Sequence, residues 1–156
     1  MKHCIICKKQ KPFSEFYKDK SQKHGFGSKC KPCSSLYDKE RRAKNNSTIE
    51  GRALEFLRHA KESSERRKQV FELEVKDIVE CWSKQLQICA YSGRKMTLEN
   101  AKPNTVSIER IDSSIGYTKE NTILICHAVN RMKSNFDLSE FVSFCTDISK
   151  FLKGVA

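Results

Sequence analysis

Cys4-Ile-Ile-Cys7 and Cys30-Lys-Pro-Cys33, two Cys-x-x-Cys pairs separated by residues 8 to 29, constrain the fold of this chain more than any other feature. Each pair predicts a tight turn presenting two thiolates, and two such turns close a tetrahedron of sulfur around one Zn2+. Four thiolates leave no position for water, so Cys4, Cys7, Cys30 and Cys33 are expected to form a structural site rather than a catalytic one. Redox chemistry is the alternative for such pairs, but nothing in the sequence suggests the thioredoxin-like sheet that accompanies it. Between the knuckles, Lys11-Pro-Phe-Ser-Glu-Phe-Tyr17 predicts a short strand with a turn inside it, with Phe13, Phe16 and Tyr17 covering the metal. His3 and His24 are read as surface residues, because four sulfurs already fill the coordination sphere.

The chain has 156 residues, enough for one or two small domains. It carries 30 Lys and Arg against 19 Asp and Glu, a net charge of +11 that favours a polyanionic partner, nucleic acid first among them. The basic stretch from Lys8 to Lys44 ends in Lys39-Glu-Arg41-Arg42-Ala-Lys44, a helix expected to continue from the second knuckle. Lys39, Arg41, Arg42 and Lys44 would follow a phosphate backbone; a merely solvated face is the alternative. No apolar run approaches the roughly 18 residues that span a bilayer, and the start has no signal-peptide pattern. An intracellular place is therefore expected. For such a chain its eight cysteines read as metal ligands or buried thiols rather than disulfides.

Asn45-Asn-Ser-Thr48 interrupts the basic helix and offers Ser47 or Thr48 as the next N-cap, which puts a linker at 44 to 48. Ile49, Ala53, Phe56, Leu57 and Ala60 then recur at helical spacing. Val70 to Val75 alternates like a short strand. Val75 to Gln87 returns to helix, with Ile78, Val79, Trp82 and Leu86 expected inward. His59 reads as an exposed helix residue.

Cys89-Ala-Tyr-Ser-Gly93 has the form of a knuckle turn whose second Cys is Ser92, and Cys126-His-Ala-Val129 shows the same loss. Cys89 and Cys126 are expected close together without metal, a site completed by His127 being the alternative. Ser107 to Asn121 and Cys126 to Lys133 read together as strand, polar loop, strand and helix. On that helix Ile125, Val129, Met132 and Phe136 form the expected core stripe, and His127, Asn130 and Ser134 share a polar face. Leu138, Phe141, Cys145, Ile148, Leu152 and Val155 make a last apolar stripe, which packs on the preceding module or joins a homodimer.

Residues 89 to 136 resemble HNH nucleases, the ββα-metal or His-Me finger family. The order of a four-Cys element, a Glu-Arg motif, a Gly-Tyr loop and an Asn-Arg-hydrophobic-Lys helix is similar to restriction-type and phage HNH endonucleases. The resemblance implies an α+β chain in three parts: a zinc-binding, basic, DNA-contacting element over 1–44, a helical connecting region over 49–88, and an HNH module with its terminal amphipathic helix over 89–156. By position it implies Glu109 and Asn130 as ligands of a catalytic Mg2+ or Mn2+, and Asn121 as the residue that ties the loop to the strands. Lys133 is expected on a phosphate, an exposed helix lysine being the alternative, and Asp112 either supports the site by a hydrogen bond or simply starts a turn. The family's general base, a His, is replaced by Arg110, which cannot accept a proton near neutral pH. Tyr91, His127, or proton loss to solvent or phosphate are the three replacements, with Arg110 neutralising a nonbridging oxygen. The implied activity is hydrolysis of phosphodiester bonds in double-stranded DNA, in the cytoplasm of a bacterium or of a phage-infected host; a catalytically silent zinc-containing DNA-binding protein is the alternative.

Overall fold

A computed structural model describes residues 1–154. Within them the chain forms two compact units, Met1–Asn45 and Asn46 onward, and Val155 of the last apolar stripe lies outside the described residues.

The first unit is built on its cysteines. Strands β1 (Lys2–His3) and β2 (Gln10–Lys11) pair antiparallel, and β3 (Phe16–Lys18) pairs with β4 (Phe26–Cys30), which leads directly into helix α1 (Lys31–Asn45). The turn expected inside residues 11–17 is a single 3-10 turn over Phe13–Glu15, started by Pro12 with its φ already at −65°. Cys4, Phe16 and Cys30 are the buried core, with Cys7, Phe26 and Cys33 against it. Of the three aromatics expected over the metal only Phe16 is buried. Phe13 lies against Phe26 at 5.0 Å between ring centres, and Tyr17 faces solvent. No residue of α1 is fully buried; past Cys33, which packs on the cysteine core, the helix is largely a solvated basic surface.

The second unit begins with α2 (Ile49–Arg67), capped by Thr48, whose Oγ1 accepts the Gly51 amide at 3.2 Å. Ala53 and Ala60 are buried and Ile49, Phe56 and Leu57 pack beside them, as the spacing predicts. The expected strand over residues 70–75 reduces to one bridge between Phe71 and Tyr117. Helix α3 (Val75–Lys84) opens with a capping box of Glu74 and Asp77 and buries Ile78 and Trp82. It stops short of Gln87, because Leu86 and Gln87 adopt left-handed conformations and Leu86 turns out to solvent. Gln85 explains the stop: its side chain accepts the Leu124 amide at 2.9 Å and donates to the Leu124 carbonyl at 2.8 Å, serving as a strand edge.

That edge is β6 (Thr122–Cys126), paired antiparallel with β5 (Val106–Arg110) from Val106 opposite Cys126 to Arg110 opposite Thr122. Helix α4 (His127–Lys133) follows β6 without a loop, completing a strand–strand–helix unit on a core that includes Ile78, Trp82, Leu124, Ile125 and Val129. Met132, within α4, and Phe136, beyond its end at Lys133, are exposed instead of lying on the expected core stripe. Helix α5 (Leu138–Gly154) touches this core through Phe141, whereas Ile148 and Leu152 are exposed. No helix among the described residues is long and apolar enough to cross a membrane.

Candidate metal and phosphate site

The sulfurs of Cys4, Cys7, Cys30 and Cys33 all lie within 4.8 Å of one another, the one such cluster of Cys, His, Asp or Glu among the described residues. Cys7 and Cys30 sulfurs are 4.0 Å apart, close to the roughly 3.8 Å edge of a tetrahedron with metal–sulfur bonds of about 2.3 Å. The Cys30 amide donates to Cys4 Sγ at 3.3 Å and lowers that thiol to about 6. Hydrogen bonding to Cys30 instead pushes Cys33 up to about 12. The set thus fits one ion of the kind thiolates prefer.

Cys89 and Cys126 are adjacent, as expected, with the Cys126 amide donating to Cys89 Sγ at 3.2 Å and both residues buried. His127 is exposed and belongs to no such cluster.

A second centre arises where β5 meets α4. Asn130 donates both protons of its carboxamide to β5, to Ser107 Oγ at 2.9 Å and to the Ile108 carbonyl at 3.0 Å. Its oxygen is therefore the atom left to act as a ligand. Glu109 follows on β5, and both residues line one cavity of about 690 Å3. The donor pair, a carboxylate and a carboxamide oxygen, suits a hard ion such as Mg2+ or Mn2+, which retains waters and takes phosphate oxygens as further ligands. Glu109 is the one acid on the cavity wall among the described residues. Arg67, Arg110, Arg131 and Lys133 also line it, so the space is built for anions.

The burial of Lys133 rules out the exposed helix lysine, the alternative to a phosphate contact: its side chain is 5% exposed and its Nζ lies 2.9 Å from Glu109 Oε1, itself 14% exposed. Arg110 is likewise engaged within the protein. Its Nη1 donates to Gln69 Oε1 at 2.7 Å and to the carbonyls of Ser113 and Ile115 at 2.7 and 3.1 Å, while the guanidinium lies over Tyr117. Asn121 is buried and closes the same loop, accepting the Asp112 amide at 2.8 Å and donating to the carbonyls of Asp112 and Gly116. Gly116 has no room for a side chain, since a Cβ there would overlap the Val70 carbonyl. Asp112 spends its carboxylate on Ser114, the behaviour of a residue that starts a turn.

Neither side chain considered for the missing base borders this cavity. The Tyr91 hydroxyl is buried without a hydrogen-bond partner, and burial, then the charge of Glu109, push its pKa up. His127 is exposed at the start of α4. Sequence reasoning missed Ser63, Arg67 and Arg131 on the cavity wall, and Gln69 behind Arg110. The charge of Arg67 and Arg131 was visible, but their convergence depends on how α2 packs. On α1, Lys39, Arg41 and Arg42 are exposed, Arg41 pairing with Asp38 at 3.3 Å; Lys44 lies in the last turn of the helix.

The arrangement defines a class: a strand–loop–strand–helix unit that brings one carboxylate and one carboxamide to a cation-lined cavity, in a chain that also carries a four-cysteine element. No protein-family model matches the chain. It is 30% identical over 89 residues to the uncharacterized 29.0 kDa protein in the dda-modA intergenic region of Enterobacteria phage T4. That match takes in 55% of this chain and 34% of the relative, so the chain spans about a third of the relative's length. Among solved structures it is similar to the rare-cutting HNH restriction endonuclease PacI, at 21% identity and a TM-score of 0.42, over 99% of this chain and 97% of that one.

Proposed function

We propose that the chain is a metal-dependent DNA endonuclease of the HNH type, with Zn2+ as a structural ion on Cys4, Cys7, Cys30 and Cys33. The observation that carries the reading is the pairing of Glu109 with the Asn130 oxygen on one cavity whose other charged residues are cationic. When bound there, Mg2+ or Mn2+ supplies Lewis-acid stabilisation of the pentacovalent phosphate and of the leaving oxygen. Glu109 and Asn130 bind that ion, and the β5 contacts of Asn130 hold its oxygen in place. Arg67 and Arg131 bind phosphates of the substrate strand. Arg110, Asn121 and Gln69 fix the loop that forms one wall. With Tyr91 protonated and buried and His127 outside the cavity, the attacking water loses its proton to solvent or to the phosphate.

The test is cleavage of supercoiled plasmid with Mg2+ or Mn2+. Glu109→Ala lowers the rate by about a hundredfold or more, from the size of a lost metal centre, with zinc content and circular dichroism unchanged. A variant that cuts as fast as the parent removes Glu109 from the site. A second reading, a zinc-containing DNA-binding protein without activity, is favoured by Arg110 standing in the place of the base and being bound up in the loop. Salt-dependent DNA binding with no cutting in either metal selects it.

A further inference from the structure

Lys133 sits where a divalent ion on Glu109 would have to sit or crowd. A lysine this buried depends on its pairing with Glu109, with a weaker attraction from Asp137, because an ammonium taken out of water is costly unless compensated. It stands one turn beyond Asn130 on the same face of α4, so both reach the Glu109 end of β5. Arg67, Arg110 and Arg131 add positive charge around the same space, and Glu109 is the one carboxylate facing it. An ion entering alone must displace the ammonium or stand beside it, against like charge on every side.

We propose that Lys133 is a built-in counter-cation of Glu109 that competes with the divalent ion, so that the ion binds well only together with a phosphate. The proposal rests on the metal site put forward above. A phosphate changes both halves of the competition: its oxygens complete the ligand set of the ion, and its charge gives the released Lys133 a new partner. Free protein therefore holds the metal weakly and the DNA complex holds it well. Lys133 acts through Glu109 before substrate arrives and on the phosphate afterwards, which reconciles its burial here with the phosphate contact expected from the sequence.

The experiment is Mn2+ binding to zinc-loaded protein, read by the loss of the free Mn2+ electron paramagnetic resonance signal. It compares the parent, Lys133→Met, Glu109→Gln and the double variant, with and without a duplex of hydrolysis-resistant phosphorothioate linkages. Without DNA, Lys133→Met binds Mn2+ roughly tenfold or more tightly than the parent, the scale of removing one like charge within a few ångströms. The duplex strengthens binding in the parent and does so much less in Lys133→Met. If Lys133→Met binds no more tightly than the parent while Glu109→Gln weakens binding, the competition is refuted and the metal site stands. If adding Glu109→Gln to Lys133→Met changes nothing, the metal site itself is wrong. Lys133→Gln, which keeps a donor but no charge, replaces the methionine variant should thermal melting show that the latter does not fold, and is held to the same outcomes.

Discussion

Arg110 shows how far one residue's meaning depends on what surrounds it. In sequence it stands where a base is expected, and its chemistry excludes that role. In the fold its Nη1 joins Gln69 to the carbonyls of Ser113 and Ile115, and its plane covers Tyr117, so the residue braces the loop between β5 and β6. Charged hydrogen bonds of this kind contribute about 1.5–3 kcal/mol each when well formed and less where water competes. Arg110→Ala should therefore lower unfolding free energy in urea by about 1–3 kcal/mol, and increase amide exchange in residues 111–120. Unchanged exchange in that loop would return Arg110 to the list of groups free to meet a phosphate. Glu109, Asn121 and Asn130 could be singled out from sequence because the motif fixes their spacing along the chain. Gln69 could not, since its partners lie more than forty residues away and a lone glutamine carries no signal.

At the scale of elements, periodicity located α2, overread Val70 to Val75 as a strand where one bridge forms, and misjudged ends. The apolar residues Ile78, Trp82 and Leu86 continue a helical pattern, yet α3 stops at Lys84 because the Gln85 side chain pairs with the backbone of β6. Pattern reading counts where apolar groups fall and cannot see that a glutamine amide imitates a strand. The same limit applies to α4, whose stripe ran on to Phe136 in sequence while Ser134, with φ at +48°, ends the helix. Gln85→Ala should be costly out of proportion to its size. It leaves the amide of Leu124, a fully buried residue, without its partner, while the Leu124 carbonyl keeps the Ala90 amide at 3.2 Å, a loss of about 1–3 kcal/mol for the one orphaned group. A midpoint in thermal or urea unfolding that matches the parent would mean that β6 finds other partners.

For the molecule as a whole, the proposed function asks how much of the DNA affinity each unit would supply. The first unit has little apolar material: its buried core is Cys4, Phe16 and Cys30, so the structural ion proposed for the four sulfurs would be the main term holding residues 1–45 in shape. Its helix α1 presents Lys39, Arg41 and Arg42 to solvent, and the second unit carries Arg67 and Arg131 on its own cavity. Each phosphate contact that a cation makes contributes about 0.9 to the slope of log affinity against log salt. Stripping the metal with a chelator should unfold the first unit, seen as fast amide exchange over residues 1–45, while exchange over 46–154 stays as it was. DNA affinity should then fall, and the salt slope should become shallower by about two to three, the number of α1 cations withdrawn from ordered contact. Arg42→Ala in the metal-loaded protein should account for about one of those steps. A slope unchanged by chelation, with the first unit shown to be unfolded, would assign DNA binding to the second unit and leave α1 a solvated face.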